Sequence, residues 1–245
     1  MEKDERWLVN EKYGGVECDA FDADRQRLAR GEPLAYVIGW QPFLGLRIHL
    51  DSRPLIPRPE TEWWAEELTA DSVQRTDTPL SFLDLCAGSG AIGCAALARL
   101  PHAKVRFGEL DPAHEDTIRK NIRENGLDAS RASIGIGDLF APFKDERFDI
   151  IAANPPYVPA GRTLDANVTD YEPNGALFSG TDGLDLIRRI CADAATHMNE
   201  GGELWLECDE SNADQALTLA RRSGAKRSEL RTDPYGRKRL VVSYF

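Results

Sequence analysis

The stretch Ser81-Phe82-Leu83-Asp84-Leu85-Cys86-Ala87-Gly88-Ser89-Gly90-Ala91-Ile92-Gly93 decides the fold of this chain. An apolar run, typical of a strand, leads into a glycine-rich turn and then into an alanine-rich stretch that favours a helix to Leu100. A strand, a glycine turn and a helix form the first half of a nucleotide-binding βαβ unit. The turn has the spacing G-x-G-x-x-G, whose backbone suits a pyrophosphate or the carboxylate of an amino-acid cofactor.

Strand and helix patterns alternate through the rest of the C-terminal region. Strands are predicted at residues 81–86, 105–109, 132–137, 148–153, 203–208, 228–232 and 238–244. Helices are predicted near residues 112–125, 183–198 and 212–223. This alternation indicates an α/β fold with a mostly parallel seven-stranded sheet, covered on both faces and closed by an antiparallel C-terminal strand.

The chain before this domain divides into two short regions. Residues 1–30 carry an interrupted helical pattern and are predicted to form a short N-terminal helical segment. Residues 31–78 are predicted to contain a β-hairpin, with strands at 36–38 and 45–50, and a proline-rich connection. A helix through about Ala70, capped by Thr61, and a polar loop at 71–79 should follow. The α/β domain is then expected to span residues 79–245.

Composition and charge exclude several classes of protein. Hydrophobic residues make up 42% of the chain and charged residues 29%, as in ordinary globular proteins. No apolar run has membrane-spanning length and the first residues lack a signal peptide, so a cytoplasmic protein without a membrane partner is expected. A net charge of -11 argues against direct binding of nucleic acid. The five cysteines and four histidines are scattered, which predicts reduced thiols and no metal site.

Acidic side chains lie at the predicted carboxyl ends of the first three strands of the domain. Glu109 is placed to accept hydrogen bonds from a ribose, as in either a NAD site or an S-adenosylmethionine site. Asp84, beside the glycine turn, could hold the α-amino group of S-adenosylmethionine but would repel a pyrophosphate. Asp138, followed by Leu139, could meet the amine and ring face of adenine. Each acid alone could equally be a helix cap or a turn residue.

The tetrapeptide Asn154-Pro155-Pro156-Tyr157 ends the fourth strand of the domain. Two prolines remove two backbone donors and leave nearby carbonyl oxygens free to face a ligand. The Asn154 side chain adds an acceptor and Tyr157 an aromatic wall. This combination suits a planar NH₂ group, although the tetrapeptide alone could also be a simple proline-terminated strand.

These motifs together resemble those of a known family. The stretch from Asp84 to Gly93 and the Asn-Pro-Pro-Tyr tetrapeptide are similar to those of Rossmann-like class I methyltransferases that use S-adenosylmethionine. The flanking blocks narrow the resemblance to the HemK/PrmC-type glutamine-N5 methyltransferases of peptide chain release factors. Those blocks are Gly31-Glu32-Pro33-Leu34-Ala35-Tyr36, Ile56-Pro57-Arg58-Pro59-Glu60-Thr61-Glu62, Tyr171-Glu172-Pro173 with Ala176-Leu177-Phe178, and Asp182-Gly183-Leu184.

The resemblance covers the chain from about residue 31 onward and implies a substrate and a partner. It implies methylation of the glutamine in the Gly-Gly-Gln loop of release factors, by an enzyme expected to be a monomer. Family members carry a helical N-terminal domain that grips the release factor, so residues 1–30 are expected to be a reduced docking region. The implied cofactor contacts are Asp84, Ala87, Gly88, Gly90, Glu109, Asp138, Leu139 and Asn154.

A mechanism can be argued from the residues alone. The Asn154 oxygen and the Pro155 carbonyl would accept the two hydrogens of a carboxamide and turn its nitrogen toward the methyl group. Tyr157 would pack on the amide plane. Asn154, Pro155 and Tyr157 are therefore the predicted catalytic residues, and Pro156 joins them in the predicted substrate site.

Three alternatives remain at this stage. An adenine or guanine N-methyltransferase would use the same pocket for the planar amine of a flipped base. A NAD-dependent dehydrogenase is disfavoured by Asp84 and by the lack of an acid/base pair for hydride transfer. A non-catalytic module that keeps the fold as a scaffold is disfavoured by the intact acids and Asn154.

Overall fold

The structure is a computed structural model that describes residues 2–73 and 79–245. Its helices are α1 (Lys3–Tyr13), α2 (Asp19–Ala29), α3 (Leu34–Ile38), α4 (Pro59–Val73), α5 (Ala91–Arg99), α6 (Glu115–Glu124), α7 (Ala166–Thr169), α8 (Asp185–Asp193) and α9 (Ala213–Arg221). Its strands are β1 (Trp40–Phe43), β2 (Leu46–His49), β3 (Leu80–Leu85), β4 (Ala103–Glu109), β5 (Ala132–Ile136), β6 (Phe148–Ala153), β7 (Met198–Glu207), β8 (Arg227–Thr232) and β9 (Lys238–Tyr244).

Strands β3 to β9 form one seven-stranded sheet within the described residues, in the order β5-β4-β3-β6-β7-β9-β8. Neighbours from β5 to β7 pair in parallel, and the C-terminal strand β9 runs antiparallel to both β7 and β8. The predicted fold class is confirmed. The strand order reverses between β3 and β6, which opens a crevice at their carboxyl ends where ligands of such sheets bind.

Both faces of the sheet are buried. Phe82, Phe107 and Trp205 pack in a cluster on one face, and Leu83 and Ile151 pack in a second cluster on the other. All of these side chains are fully or almost fully removed from solvent. Close packing of this kind holds the strand ends, and therefore the crevice, in a fixed geometry.

The N-terminal region corrects one prediction. Residues 36–38 are not a strand but the end of helix α3, because Val37 and Ile38 pack against Leu8 and Phe21 of helices α1 and α2. Helix α3 ends at Gly39, in the left-handed conformation. The hairpin is present but its first strand is shifted, because β1 (Trp40–Phe43) lies between the two predicted strands.

The hairpin turn and the start of helix α4 also differ from the sequence predictions. Leu44 and Gly45 both have positive φ and join β1 to β2 as a two-residue turn, the type that matches strand twist. Helix α4 begins at Pro59 and continues to Val73, so Thr61 lies in its first turn and the predicted Thr61 cap is wrong. Of the predicted polar loop at 71–79, residues 74–78 lie outside the described residues. No helix among the described residues is long and apolar enough to cross a membrane.

Candidate active site

A cavity of about 290 Å³ lies at the carboxyl ends of β3, β4, β5 and β6. This volume is at the lower end of the range for small-molecule sites. Several of the predicted site residues meet there. Its lining includes Gly88, Glu109, Asp138, Leu139, Asn154 and Pro156.

The glycine loop between β3 and α5 takes a conformation that only glycine adopts easily. Gly88 and Gly90 have φ of 55° and 77°, in the left-handed region. A Cβ on Gly93 would lie 2.3 Å from a ring carbon of the buried Phe107, so helix α5 can approach β4 only with glycine there. Gly88 lines the cavity, whereas Ala87 and Gly90 support the loop through the bond from the Gly90 N–H to the Ala87 carbonyl.

Asp84 lies beneath this loop rather than in the cavity wall. It is fully buried, and its Oδ2 accepts a hydrogen bond of 2.8 Å from the Gly93 N–H. Burial raises the pKa of Asp84 to about 8, and the nearby negative charge of Glu109 adds to the rise. Its Oδ1 has no hydrogen-bond partner among the described residues. Asp84 therefore ties the first turn of helix α5 to strand β3, and its contact with the amino group of a cofactor stays a prediction.

Glu109 connects the glycine loop to the end of β4. Its Oε2 accepts a bond of 2.7 Å from the Gly88 N–H, and its Oε1 accepts one of 2.9 Å from the Asp111 N–H. These two bonds fix the carboxylate at the cavity wall, where each oxygen keeps a second lone pair. Glu109 is thus positioned to accept further bonds from a ligand.

Asp138 and Leu139 follow β5 on the neighbouring part of the rim. Asp138 is exposed and forms an ion pair of 2.6 Å with Arg189 of helix α8. Leu139 is buried and has a φ of 49°, which turns the chain at the rim of the cavity. The two residues present one carboxylate and one apolar surface side by side.

The tetrapeptide after β6 divides its side chains between the cavity and the core. Asn154 and Pro156 line the cavity. The Asn154 Nδ2 donates to the Thr61 hydroxyl at 3.0 Å, while its Oδ1 accepts no bond from the described residues. Pro155 is buried, and no described residue donates to its carbonyl. Two acceptors are therefore free at this position.

Tyr157 points away from the cavity. Its ring packs against the core cluster that contains Leu83 and Ile151, and its hydroxyl donates to Oε1 of Glu207 at 2.9 Å. Burial raises the pKa of Tyr157 above its usual value, and the charge of Glu207 contributes. Its carbonyl accepts a bond of 3.0 Å from the Asn212 side chain. The predicted packing of Tyr157 on a substrate amide stays a prediction.

Sequence reasoning missed Glu207 and Trp64 and misread Thr61. Glu207 ends β7, is fully buried, and accepts bonds from the Thr61 hydroxyl and the Trp64 indole N–H, both at 2.7 Å. One signal was available in the sequence. An acid at the end of the apolar run Leu204-Trp205-Leu206 is costly to bury unless donors surround it.

The proline-rich connection and a later loop cover one side of the cavity. Leu55 and Pro173 both line it. Glu172 joins the two segments, because its Oε2 accepts from the Ile56 N–H at 3.0 Å and its Oε1 pairs with Arg58. Arg58 therefore supports the site but does not line the cavity.

The chemistry of the lining fits S-adenosylmethionine. The carboxylates of Glu109 and Asp138 can accept bonds from hydroxyl and amino groups and suit a ligand that carries positive charge. Leu55, Leu110 and Leu139 offer apolar surface for a flat ring, and Leu110 is 66% exposed in the structure. The residues present thus match both the polar and the aromatic parts of this molecule.

Comparisons with known proteins agree with this geometry. The model of the family described as the methyltransferase small domain matches residues 66–170. A release factor glutamine methyltransferase of Geobacter sulfurreducens is 37% identical over 217 residues, which cover 88% of this chain and 74% of that protein. A protein of the same name from Deinococcus radiodurans is 36% identical over 228 residues, with 92% and 79% of the two chains covered.

Solved structures confirm the fold alone. A methyltransferase from Pyrococcus furiosus superposes with a TM-score of 0.60 at 15% identity, covering 91% of this chain and 98% of that one. A Thermus thermophilus 16S rRNA guanine methyltransferase, solved with S-adenosylmethionine and guanosine, superposes with a TM-score of 0.59 at 19% identity, covering 84% of this chain and 49% of that one.

The identity and coverage of the Geobacter sulfurreducens and Deinococcus radiodurans relatives show that this chain belongs to the release factor glutamine methyltransferase family.

Proposed function

We propose that this protein transfers a methyl group from S-adenosylmethionine to the side-chain amide nitrogen of the glutamine in the Gly-Gly-Gln loop of peptide chain release factors. The observation that carries the proposal is the free Oδ1 of Asn154, which lines a cavity that fits the methyl donor. The carbonyl of the next residue, Pro155, also accepts no bond from the described residues and would be the second acceptor. Membership of the release factor glutamine methyltransferase family supplies the substrate class.

Glu109 would hold the ribose hydroxyls, and Asp138 with Leu139 would hold the adenine. Asp84 would hold the α-amino group, and the loop residues Ala87, Gly88 and Gly90 would surround the amino-acid part of the molecule. When bound, S-adenosylmethionine supplies a methyl group made electrophilic by its positively charged sulfur. The acidic lining supports the binding of that charge.

The two acceptors would do most of the catalytic work by orientation. A carboxamide nitrogen is a weak nucleophile because its lone pair is delocalised into the carbonyl group. The Asn154 oxygen and the Pro155 carbonyl would accept one amide hydrogen each and so fix the direction of the nitrogen. Orientation of this kind can supply roughly 7–11 kcal/mol when the geometry is good. The same acceptors would stabilise the positive charge that develops on the nitrogen.

The N-terminal helices pack together as a small unit beside the sheet. Helices α1, α2 and α3 share a small core of Leu8, Val9, Phe21, Val37 and Ile38. We propose that residues 1–30 contribute to docking of the release factor, that residues 31–78 connect them to the catalytic domain, and that residues 79–245 form that domain. We further propose that the protein is a cytoplasmic monomer, as a protein substrate that acts at the ribosome would require no other location. The net charge of -11 supports the absence of a direct nucleic-acid partner.

The experiment that tests this proposal is a transfer assay with methyl-labelled S-adenosylmethionine. Purified release factor, the same factor with its loop glutamine replaced by alanine, and purified ribosomal RNA are offered in parallel. The proposal expects label in the first sample alone. Label in the RNA would instead support the base-methylating alternative, and equal label in both protein samples would exclude the loop glutamine.

A further inference from the structure

The carboxylate of Glu207 is the meeting point of three hydrogen-bond donors. The Thr61 hydroxyl and the Trp64 indole N–H both lie 2.7 Å from its Oε2, and the Tyr157 hydroxyl lies 2.9 Å from its Oε1. The carboxylate is fully buried, so these donors replace the water that it loses. Glu207 thereby ties helix α4 and the segment after β6 to the end of β7.

The chemistry of these donors fixes the position of the Thr61 proton. An indole N–H can only donate, so Oε2 of Glu207 acts as an acceptor toward Trp64. A proton bound to the carboxyl group would then be favoured on Oε1, which faces Tyr157. The Thr61 hydroxyl therefore donates its single proton to Oε2 whether Glu207 is ionised or neutral.

This assignment determines which way the Asn154 carboxamide faces. With its proton given to Glu207, the Thr61 oxygen can only accept toward Asn154, and the atom 3.0 Å away must be the NH₂ nitrogen. Oxygen and nitrogen of a carboxamide have almost the same shape, so hydrogen bonds decide between the two orientations. The oxygen of Asn154 is consequently kept free as an acceptor at the cavity.

We propose that Glu207 is a positioning residue for methyl transfer, which acts through Thr61 to present the oxygen of Asn154, rather than its NH₂ group, to the substrate amide. This inference rests on the proposed function, because it assumes that Asn154 accepts a hydrogen from the substrate. In the opposite orientation two NH₂ groups would face each other and the substrate would lose one of its two acceptors.

The decisive variants change the Thr61 hydroxyl while they keep the size of the side chain nearly constant. Thr61→Val leaves the Asn154 NH₂ group without its acceptor, and we expect kcat to fall roughly 10- to 100-fold. The Kd for S-adenosylmethionine should stay within about twofold, because Thr61 does not line the cavity. Thr61→Ser keeps the hydroxyl and should restore most of kcat.

Thr69→Val is the matched control. Thr69 is a second buried threonine on helix α4, and its hydroxyl donates to the Ala65 carbonyl at 2.9 Å. This variant should lose a similar amount of thermal stability but keep the wild-type kcat. A loss of kcat in Thr61→Val that is absent in Thr69→Val therefore separates positioning from general destabilisation.

Variants of Glu207 test the proton assignment itself. In Glu207→Gln the donor-only indole of Trp64 draws the amide oxygen to the position of Oε2, so Thr61 keeps its acceptor and only the contact with Tyr157 is altered. Glu207→Met removes both acceptors. The glutamine variant should therefore retain a clearly higher kcat than the methionine variant, and adding Thr61→Val to Glu207→Met should cost little more.

The outcomes separate this inference from the proposed function. Wild-type transfer to the release factor, combined with equal kcat values for Thr61→Val, Thr69→Val and wild type, would overturn the positioning role and leave the proposed function standing. Failure of the wild-type protein to methylate the release factor would remove the proposed function and, with it, the inference.

Discussion

Replacing Asn154 by alanine removes one of the two acceptors on which the proposed mechanism depends. The Pro155 carbonyl remains, so the substrate amide would keep one hydrogen bond and lose its fixed direction. Loss of one preorganised partner of a transition state costs roughly 2.7–4 kcal/mol, or about 100- to 1,000-fold in kcat. The lost bond to Thr61 should lower the free energy of unfolding by only about 1 kcal/mol.

The assay measures two quantities on the same preparation. Single-turnover transfer to the release factor gives the chemical rate, and titration calorimetry gives the Kd for S-adenosylmethionine. Although Asn154 also lines the cofactor cavity, the Kd should change by a much smaller factor than the rate. Asn199→Ala is a suitable control, because Asn199 donates to Asp149 at 2.8 Å near the opposite end of β6. That variant should lose stability without losing the chemical rate.

A parallel loss of affinity for S-adenosylmethionine and of transfer rate would contradict the proposed role of Asn154. If Asn154→Ala weakened binding of S-adenosylmethionine by the same factor as it slowed transfer, Asn154 would be a cofactor ligand. Its role as an acceptor for the substrate amide would then be wrong.

Three further predictions concern the cofactor wall and the loop. Glu109→Ala should weaken binding of S-adenosylmethionine roughly 10-fold or more, because it removes charged hydrogen bonds at the cavity; an unchanged titration isotherm would make Glu109 purely structural. Asp84, with a pKa of about 8 in the folded protein and about 3.9 when unfolded, stabilises the protein at low pH and loses this contribution as the pH rises toward 8. The free energy of unfolding of the wild type, measured with denaturant, should therefore fall by up to about 1.4 kcal/mol per pH unit in this window. The same dependence on pH in Asp84→Asn would contradict this assignment. Gly93→Ala should cost about 1–3 kcal/mol by overpacking Phe107, whereas Gly175→Ala, with open space around it, should not; equal melting temperatures for the two variants would disprove the steric argument.

The parts of the fold that were predictable depend on local patterns. Strand β3, the glycine loop and helix α5 have strong periodic and turn signals, and a parallel sheet brings Asp84, Glu109 and Asn154 to one edge whatever the details. The run Tyr36-Val37-Ile38 was wrongly predicted to be a strand, because the β-branched residues Val37 and Ile38 favour a strand when they are considered in isolation. Packing against helices α1 and α2 outweighs that preference.

The supporting network of the site could not be predicted from local patterns. Thr61 and Glu207 are separated by 146 residues, and only the folded sheet shows that they meet. The burial of Asp84 beneath the loop is a similar case, because its position at the end of a strand is compatible with facing either the ligand or the core. The sequence therefore predicts which acids lie at the strand ends. Tertiary packing decides whether the side chain of each acid faces the ligand or the core.

The most direct test of the central claim is to locate the transferred methyl group by fragment mass spectrometry. Release factor methylated by the wild-type protein is digested, and the peptide that contains the Gly-Gly-Gln loop is sequenced in the spectrometer. The account predicts the added mass of one methyl group on the glutamine side chain, and its near absence after reaction with Asn154→Ala. A methyl group on another residue, or an unmodified loop peptide beside labelled RNA, would contradict it.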